Sequence, residues 1–146
     1  MLPEALDVLK VWGVRYLSQI VWRKITRTGR VRVGTGYRVR TCHELVLLGG
    51  LGGRQRHAAF PSIFDGVARE HSRKPDEFYK IVVDKTAGAD RCDLFSRETR
   101  PGFDAWGNEA GKFHWAFLQF ERKSNVRPVT EGSLGKIAHF SRAAFI

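Results

Sequence analysis

Arg69-Glu70-His71-Ser72-Arg73-Lys74-Pro75-Asp76-Glu77-Phe78-Tyr79 and, further along, Leu94-Phe95-Ser96-Arg97-Glu98-Thr99-Arg100-Pro101-Gly102-Phe103-Asp104-Ala105-Trp106-Gly107-Asn108-Glu109 are the two strings on which the fold turns. In the first, Pro75 suits an opening helical turn because it lacks the N–H that the turn leaves unused, and Asp76 and Glu77 suit the positive end of the helix dipole. Phe78, Ile81 and Val82 follow on one face, so the spacing predicts a helix that closes at Ala87-Gly88. Arg91 to Ser96 reads as a buried strand, and Gly102 to Gly107, with Phe103 and Trp106, as a short strand after the turn Arg100-Pro101-Gly102. A helix followed by a strand that ends in a polar loop is the layout of an open α/β sheet, in which ligands sit beyond the carboxyl ends of the strands.

Upstream, Pro3, Glu4 and Asp7 favour a helix from Pro3 to Trp12, with Leu6 and Leu9 at helical spacing and Gly13 as its stop. Tyr16 to Trp22 and Tyr37 to Leu48 are rich in β-forming residues and are separated by Thr28-Gly29-Arg30 and Gly34-Thr35-Gly36. They predict a long hairpin with a basic loop at its tip. Gly49-Gly50-Leu51-Gly52-Gly53 reads as a flexible connection, since glycine runs hold neither helix nor strand well, and Ala58 to His71 reads as a loop. The tail alternates Phe113, Trp115 and Phe117 and then turns polar. There is no internal repeat and no low-complexity block.

The 146 residues carry 25 Lys+Arg against 15 Asp+Glu, a formal charge of +10, with 42% hydrophobic and 12% aromatic residues. That is a single globular domain's worth of chain, and a wholly disordered basic tail is excluded. Between Arg23 and Arg56 stand nine basic residues (Arg23, Lys24, Arg27, Arg30, Arg32, Arg38, Arg40, Arg54, Arg56) and one acid, Glu44. A cluster of this kind releases counterions from a phosphate backbone, so charge favours nucleic-acid contact over a solvated loop kept for solubility. The longest aliphatic stretch, Leu45 to Leu48, is far shorter than the roughly 20 residues of a bilayer-spanning helix, so no membrane segment is expected. Cys42 and Cys92 lie far apart, and the start Met1-Leu2-Pro3-Glu4-Ala5-Leu6-Asp7 has no apolar signal core. These features make a reduced, cytoplasmic protein the expectation.

Several chemistries find no support. Cys42, His43, Cys92, His57 and His71 lack the paired spacing of a tetrahedral zinc site, so no metal is expected. The glycine run lacks the Gly-Lys-Ser/Thr ending of a phosphate-binding loop, and no Gly-x-Ser-x-Gly nucleophile turn is present.

The His-Ser-x-Lys-Pro-Asp-Glu box at His71 to Glu77 and the Phe-x-Arg…Trp-Gly-Asn-Glu box at Phe95 to Glu109 resemble the end of the catalytic domain of the MT-A70 family. Leu2-Pro3-Glu4-Ala5-Leu6, Gly36-Tyr37 and His43-Glu44 are similar to the family as well. The likeness runs from about Leu2 to Lys112. It implies a Rossmann-like S-adenosylmethionine-dependent methyltransferase fold of the α/β class, transferring a methyl group to adenine amino nitrogens of nucleic acid, with DNA expected ahead of RNA. Residues 1–112 are then the C-terminal portion of a methyltransferase domain, and 113–146 are an unassigned tail.

By that resemblance, Lys74 approaches cofactor and base from the start of its helix. Arg97, Thr99 and Arg100 hold the ribose and carboxylate end of S-adenosylmethionine, and Asn108 and Glu109 contact its ribose hydroxyls. A carboxylate taking ribose hydroxyl protons is a sound physical role. Without the resemblance, Lys74 reads as a solvated side chain, Arg97 with Glu98 as a surface pair and Asn108 as a turn former. In the hairpin, Tyr37, His43 and Glu44 are expected to face the target adenine, and Arg27, Arg30, Arg32 and Arg40 the phosphates. The chain departs from the family at Arg38, where Tyr-Trp is usual for Tyr37-Arg38, and at Cys42, where Asn commonly precedes His-Glu.

The family's acceptors for the amino hydrogens lie in an Asp-Pro-Pro-Trp tetrad, with an aromatic ring stacked on the flipped base. Here the prolines are Pro3, Pro61, Pro75, Pro101 and Pro128, no two adjacent, so no catalytic residue of that tetrad is in this chain. The tetrad strand and its neighbour belong in the middle of the family's sheet, between Arg91 to Ser96 and the hairpin. The expectation is therefore an incomplete fold, from a truncated or split reading frame, that needs a complementing N-terminal fragment to be active, with Phe113 to Phe120 as a candidate substitute strand. The alternative is a non-catalytic basic nucleic-acid-binding module. A purely structural basic protein has only the charge in its favour.

Overall fold

Pro3 and Gly13 bracket the first helix as their chemistry requires. In the computed structural model, which describes residues 2–52, 59–71, 73–113 and 143–145, α1 spans Leu2–Val11 and Gly13 takes φ +67° immediately after it. Leu9 is its buried anchor, packed with Val14 and Leu47, while Leu6, Val11 and Trp12 stay exposed. Strand β1, Arg15–Ile25, runs antiparallel to β2, His43–Gly50, so the predicted hairpin is present, with the basic segment 26–42 joining its arms. Tyr37 to Cys42 lies outside the paired strand, which begins only at His43.

Gly49 and Gly50 correct the sequence reading, because both are buried residues of β2 rather than part of a connection. A Cβ on Gly49 would run into Val14 Cγ1 and come within 3.2 Å of Leu9 Cδ2. The glycine is there so that Leu9 of α1 and Val14, which follows the helix by one turn of chain, can lie directly on the strand. Close approach of another element outweighs the weak β propensity of glycine.

A second correction concerns the predicted loop from Ala58 to His71, whose residues up to Ala58 lie outside the described ones. It contains β3, Ile63–Val67, parallel to β1 from Val21↔Ile63 to Ile25↔Val67. Ile63-Phe64-Asp65-Gly66-Val67 has no clean apolar alternation, and its pairing rests on partners distant in sequence. The Trp22 indole donates to the Gly66 carbonyl at 2.9 Å, and Arg23 makes a two-pronged ion pair with Asp65, at 2.5 and 2.6 Å. The last described strand, β6 (Ala143–Phe145), pairs antiparallel with β2, which gives the unassigned tail a structural role and the sheet the order β3-β1-β2-β6.

Helix α2, Asp76–Lys85, follows Pro75 and buries Phe78, Tyr79 and Val82, with Ile81 half-buried. Strands β4, Cys92–Leu94, and β5, Asp104–Trp106, form a separate parallel pair. In β4 Leu94 is exposed while Cys92 and Asp93 are half-buried, so the strand expected to be buried is only partly covered among the described residues. By internal contacts the chain divides into two units, one holding the elements up to Ala87 together with β6, the other beginning at Gly88. Two sheets, one mixed and one parallel, with two helices make a mixed α/β architecture. No described helix is long and apolar enough to cross a membrane.

The Arg23 guanidinium holds the Asp65 carboxyl below the usual carboxylate range, mainly through its hydrogen bonds. A depressed folded-state pKa means that the pair's stabilisation is fully present above the unfolded-state value of about 3.9 and is lost as pH falls through the folded one. Urea melts should therefore show Asp65→Asn less stable than the unchanged chain at neutral pH, with the gap closing in acid. A gap constant down to about pH 2.5, well below the ordinary Asp value, would remove Asp65 from the acid response.

Candidate functional site

Lys74 is placed by what surrounds Pro75. Pro75 is fully buried, and Gly66 makes room for it, since a Cβ there would sit 2.7 Å from Pro75 Cγ and 2.6 Å from Trp22 Nε1. The segment before the helix is clamped on both sides, by Arg69 with Asp76 at 2.9 Å and by Arg73 with Glu70 at 3.0 Å. Lys74 is thus a half-buried cation on a rigid approach to the amino end of α2. Its neighbours in the motif have become structural ion pairs; Ser72 lies outside the described residues.

The second unit carries the other cofactor candidates. Beyond the end of β4, Phe95 takes φ +57°, a conformation rare for any residue but glycine, and its largely exposed ring meets Trp106 edge to face with centroids 5.6 Å apart. Ser96 is buried, and its N–H continues the pairing by donating to the Trp106 carbonyl at 3.0 Å. Arg97 then reaches Glu109, Nε to Oε2 2.6 Å, and its guanidinium lies over the Phe113 ring, 5.4 Å from the centroid. Lys112, one helical turn's spacing from Glu109, pairs with the same carboxylate. Asn108 is exposed beside it, and Phe113 N–H donates to the Arg97 carbonyl at 3.0 Å, tying the turn to the Arg97 segment.

Arg97 and Glu109 are therefore brought together, Asn108 is exposed next to Glu109 in the chain, Thr99 stands half-buried nearby in sequence, and Arg100 turns inward. Its Nη2 lies 2.8 Å from Glu98 Oε2, with side-chain exposures of 6% and 4%. Glu98 is accordingly not the surface partner of Arg97 that the sequence suggested; Glu109 is. Lys112, Phe113 and the buried Glu98 escaped sequence reasoning. The Glu109–Lys112 spacing was a usable signal, whereas nothing local distinguishes a buried Glu98 from a solvated one.

The Lys112 hydrogen bond, aided by the charge of Arg97, holds the Glu109 carboxyl below the usual range, so it is ionised at neutral pH and can accept hydroxyl protons. An exposed aromatic ring, an ionised carboxylate, an amide and a guanidinium within one unit suit a nucleoside: an apolar face for a base and acceptors and donors for a ribose. These groups have the chemistry to hold a ribose-bearing cofactor: Glu109 could accept from its hydroxyls, Asn108 lies next to Glu109 in the chain, and Arg97 pairs with the same carboxylate. No group of three His, Cys, Asp or Glu side chains able to hold a metal occurs among the described residues.

The basic segment between β1 and β2 begins with a turn in which Thr26 N–H donates to the Arg30 carbonyl at 2.7 Å, and Arg32 N–H returns to the Lys24 carbonyl at 2.9 Å. Arg27, Arg30, Arg32, Arg38 and Arg40 are all exposed, and so is the entire Tyr37 side chain. His43 and Glu44 are exposed at the start of β2, where Glu44 pairs with Lys24 at 2.5 Å, and Lys24 lies over the Trp22 ring. The seven predicted nucleic-acid residues are therefore on the basic segment that joins β1 to β2, hereafter the basic arm, and at the start of β2. Lys74 belongs to the same unit as this arm.

Comparison with known proteins agrees with these motifs. The MT-A70 family model matches residues 1–109. An N6-methyladenosine RNA methyltransferase of Cryphonectria parasitica, MTA1, is 30% identical over 106 residues, covering 70% of this chain and 31% of the relative. The N(6)-adenosine-methyltransferase catalytic subunit METTL3 of Homo sapiens is 27% identical over 118 residues, 74% of this chain and 20% of its own length. An N(6)-adenosine-methyltransferase MT-A70-like protein of Arabidopsis thaliana is 29% identical over 112 residues, 70% of this chain and 16% of its own. The chain spans less than a third of each of these relatives. With the family's boxes in order and a match reaching from the first residue to Glu109, this chain belongs to the MT-A70 family.

Proposed function

We propose that this chain carries the cofactor-holding and nucleic-acid-facing parts of an adenine amino-methyltransferase that uses S-adenosylmethionine, with residues 1–112 as the C-terminal portion of its catalytic domain. The observation that carries the reading is the cluster of Arg97, Glu109 and Lys112 on a motif that the family model covers up to Glu109. When bound, the cofactor supplies an electrophilic methyl group on sulfur. Glu109 and Asn108 would hold its ribose hydroxyls, with Lys112 and Arg97 keeping the Glu109 carboxylate ionised and oriented. The arm from Arg27 to Arg40 would hold phosphates while Tyr37, His43 and Glu44 approach the base.

The 146 residues contain no Asp-Pro-Pro-Trp, the tetrad that by the resemblance supplies the acceptors for the amino protons. We assign these acceptors to residues outside this sequence, in the same or a complementing polypeptide. The same absence favours a second reading, a basic binding module without chemistry. As to substrate, the relatives' names speak of adenosine and RNA, which supports RNA where the sequence alone suggested DNA.

Calorimetric titration with S-adenosylhomocysteine tests the cofactor reading. Saturable heat that is lost in Glu109→Ala is expected; no heat at millimolar ligand leaves the binding module. Incubation with labelled S-adenosylmethionine and either RNA or DNA oligonucleotides should give no methyladenine from the 146 residues alone. Robust turnover would show that another group does the work of the tetrad.

A further inference from the structure

We infer that the buried Glu98–Arg100 ion pair is a positioning device: it anchors residues 96–100 and thereby sets Arg97 against Glu109, with neither Glu98 nor Arg100 touching the cofactor. This rests on the proposal that Arg97, Asn108 and Glu109 receive S-adenosylmethionine, and it moves Arg100 from the ligand's carboxylate to the support beneath the site.

Burial alternates along the segment. Ser96 and Glu98 are each 4% exposed and the Arg100 side chain points inward with them, while Arg97 and Thr99 between them are part-exposed. The chain bends at Arg97 between the two buried residues Ser96 and Glu98, so whatever holds those two fixes the aim of the side chain between them. The inward set is well tied. The Ser96 hydroxyl donates to the Glu98 carbonyl at 2.6 Å, lies 3.1 Å from Asp93 Oδ2, and accepts from Glu98 N–H at 3.3 Å. Glu98 forms an isolated parallel bridge with Phe113, whose N–H bonds the Arg97 carbonyl and whose ring carries the Arg97 guanidinium.

Removing one member of a buried pair leaves an uncompensated charge, which must reach water or draw water in. Such a displacement at Glu98 carries Arg97 and the Phe113 contact with it. Arg100 is committed to Glu98 at 2.8 Å, a charge-assisted bond that a ligand carboxylate would have to break.

The test uses the full chain and two ligands that share the ribose but differ in one group. S-adenosylhomocysteine has an amino-acid carboxylate and 5′-methylthioadenosine has none. Glu98→Gln and Arg100→Met are each expected to weaken both ligands by a similar factor, about tenfold, and the penalty should not add to that of Arg97→Ala, because all three changes remove one function. A loss confined to S-adenosylhomocysteine in Arg100→Met places Arg100 on the carboxylate and overturns the inference, as does simple additivity with Arg97→Ala.

A readout without ligand is the carboxyl titration of Glu109 by NMR. In Glu98→Gln, Arg97 recedes and the Glu109 pKa should rise; an unmoved value overturns the inference. Should either variant fail to fold, Arg100→Lys keeps the charge and serves in its place, with the same shifts expected in smaller measure. If the unchanged chain binds neither ligand, the cofactor reading fails, and the Glu109 titration alone decides whether the pair positions Arg97.

Discussion

Gly49→Val should leave little folded protein, and Gly49→Ala should lower stability by about 1–3 kcal/mol in urea unfolding followed by tryptophan fluorescence, the range for overpacking a filled core. A Cβ at this position collides with Val14 Cγ1 and presses on Leu9 Cδ2, both side chains of the cluster that seats α1 on β2. Against a total stability on the order of 5–15 kcal/mol, the larger substitution consumes most of what holds the first unit together. The collision has a named partner, so the effect should be coupled to it. In a Val14→Ala background, Gly49→Ala is expected to cost clearly less than in the unchanged chain, because the methyl it meets is gone. Equal costs in the two backgrounds would mean that the strand tolerates the methyl and that glycine is present for another reason.

Replacing Arg27, Arg30, Arg32 and Arg40 together by Ala should reduce the salt dependence of nucleic-acid binding, lowering the slope of log affinity against log salt by about 3. Binding at moderate salt should fall on the order of a hundredfold. All four side chains are exposed on one arm, so no core is disturbed and thermal unfolding should be unchanged. Tyr37→Ala supplies the contrast. Its ring is wholly exposed and carries no charge, so it should weaken binding through lost base stacking, worth about 1–3 kcal/mol, with the slope preserved. Filter-binding titrations over a salt series separate the two. A slope that survives the fourfold substitution moves the phosphate contact off this arm.

The same arm shows how far local chemistry reaches. Its charge is legible because charge is a property of residues, and a loop of five exposed arginines between two β-rich runs has little else to do but face solvent or phosphate. The helices were legible for a related reason. Pro75, the acids after it and Gly13 act on backbone groups within one turn, so their effect does not wait for tertiary structure. The motif boxes placed Arg97, Asn108 and Glu109 on one site, and the structure brings Arg97 and Glu109 to 2.6 Å.

What remained hidden depended on partners far along the chain. Gly49 and Gly50 read as a break in isolation, and only the arrival of Leu9 and Val14 turns the missing side chain into an advantage. Ile63–Val67 lacks an alternating pattern, and becomes a strand because β1 offers it a parallel ladder, the Trp22 indole and the Arg23 guanidinium. Glu98 looks like a surface charge and Arg100 like a ligand contact, yet the chain turns them inward against each other, while Arg97 stays part-exposed beside the exposed Glu109. Residue chemistry by itself determined the family, the helix limits and the sign of the basic arm, because each follows from groups within a few bonds or from net charge. Which side of the chain each residue faces was decided only when distant segments packed, since burial is a property of the neighbour as much as of the residue.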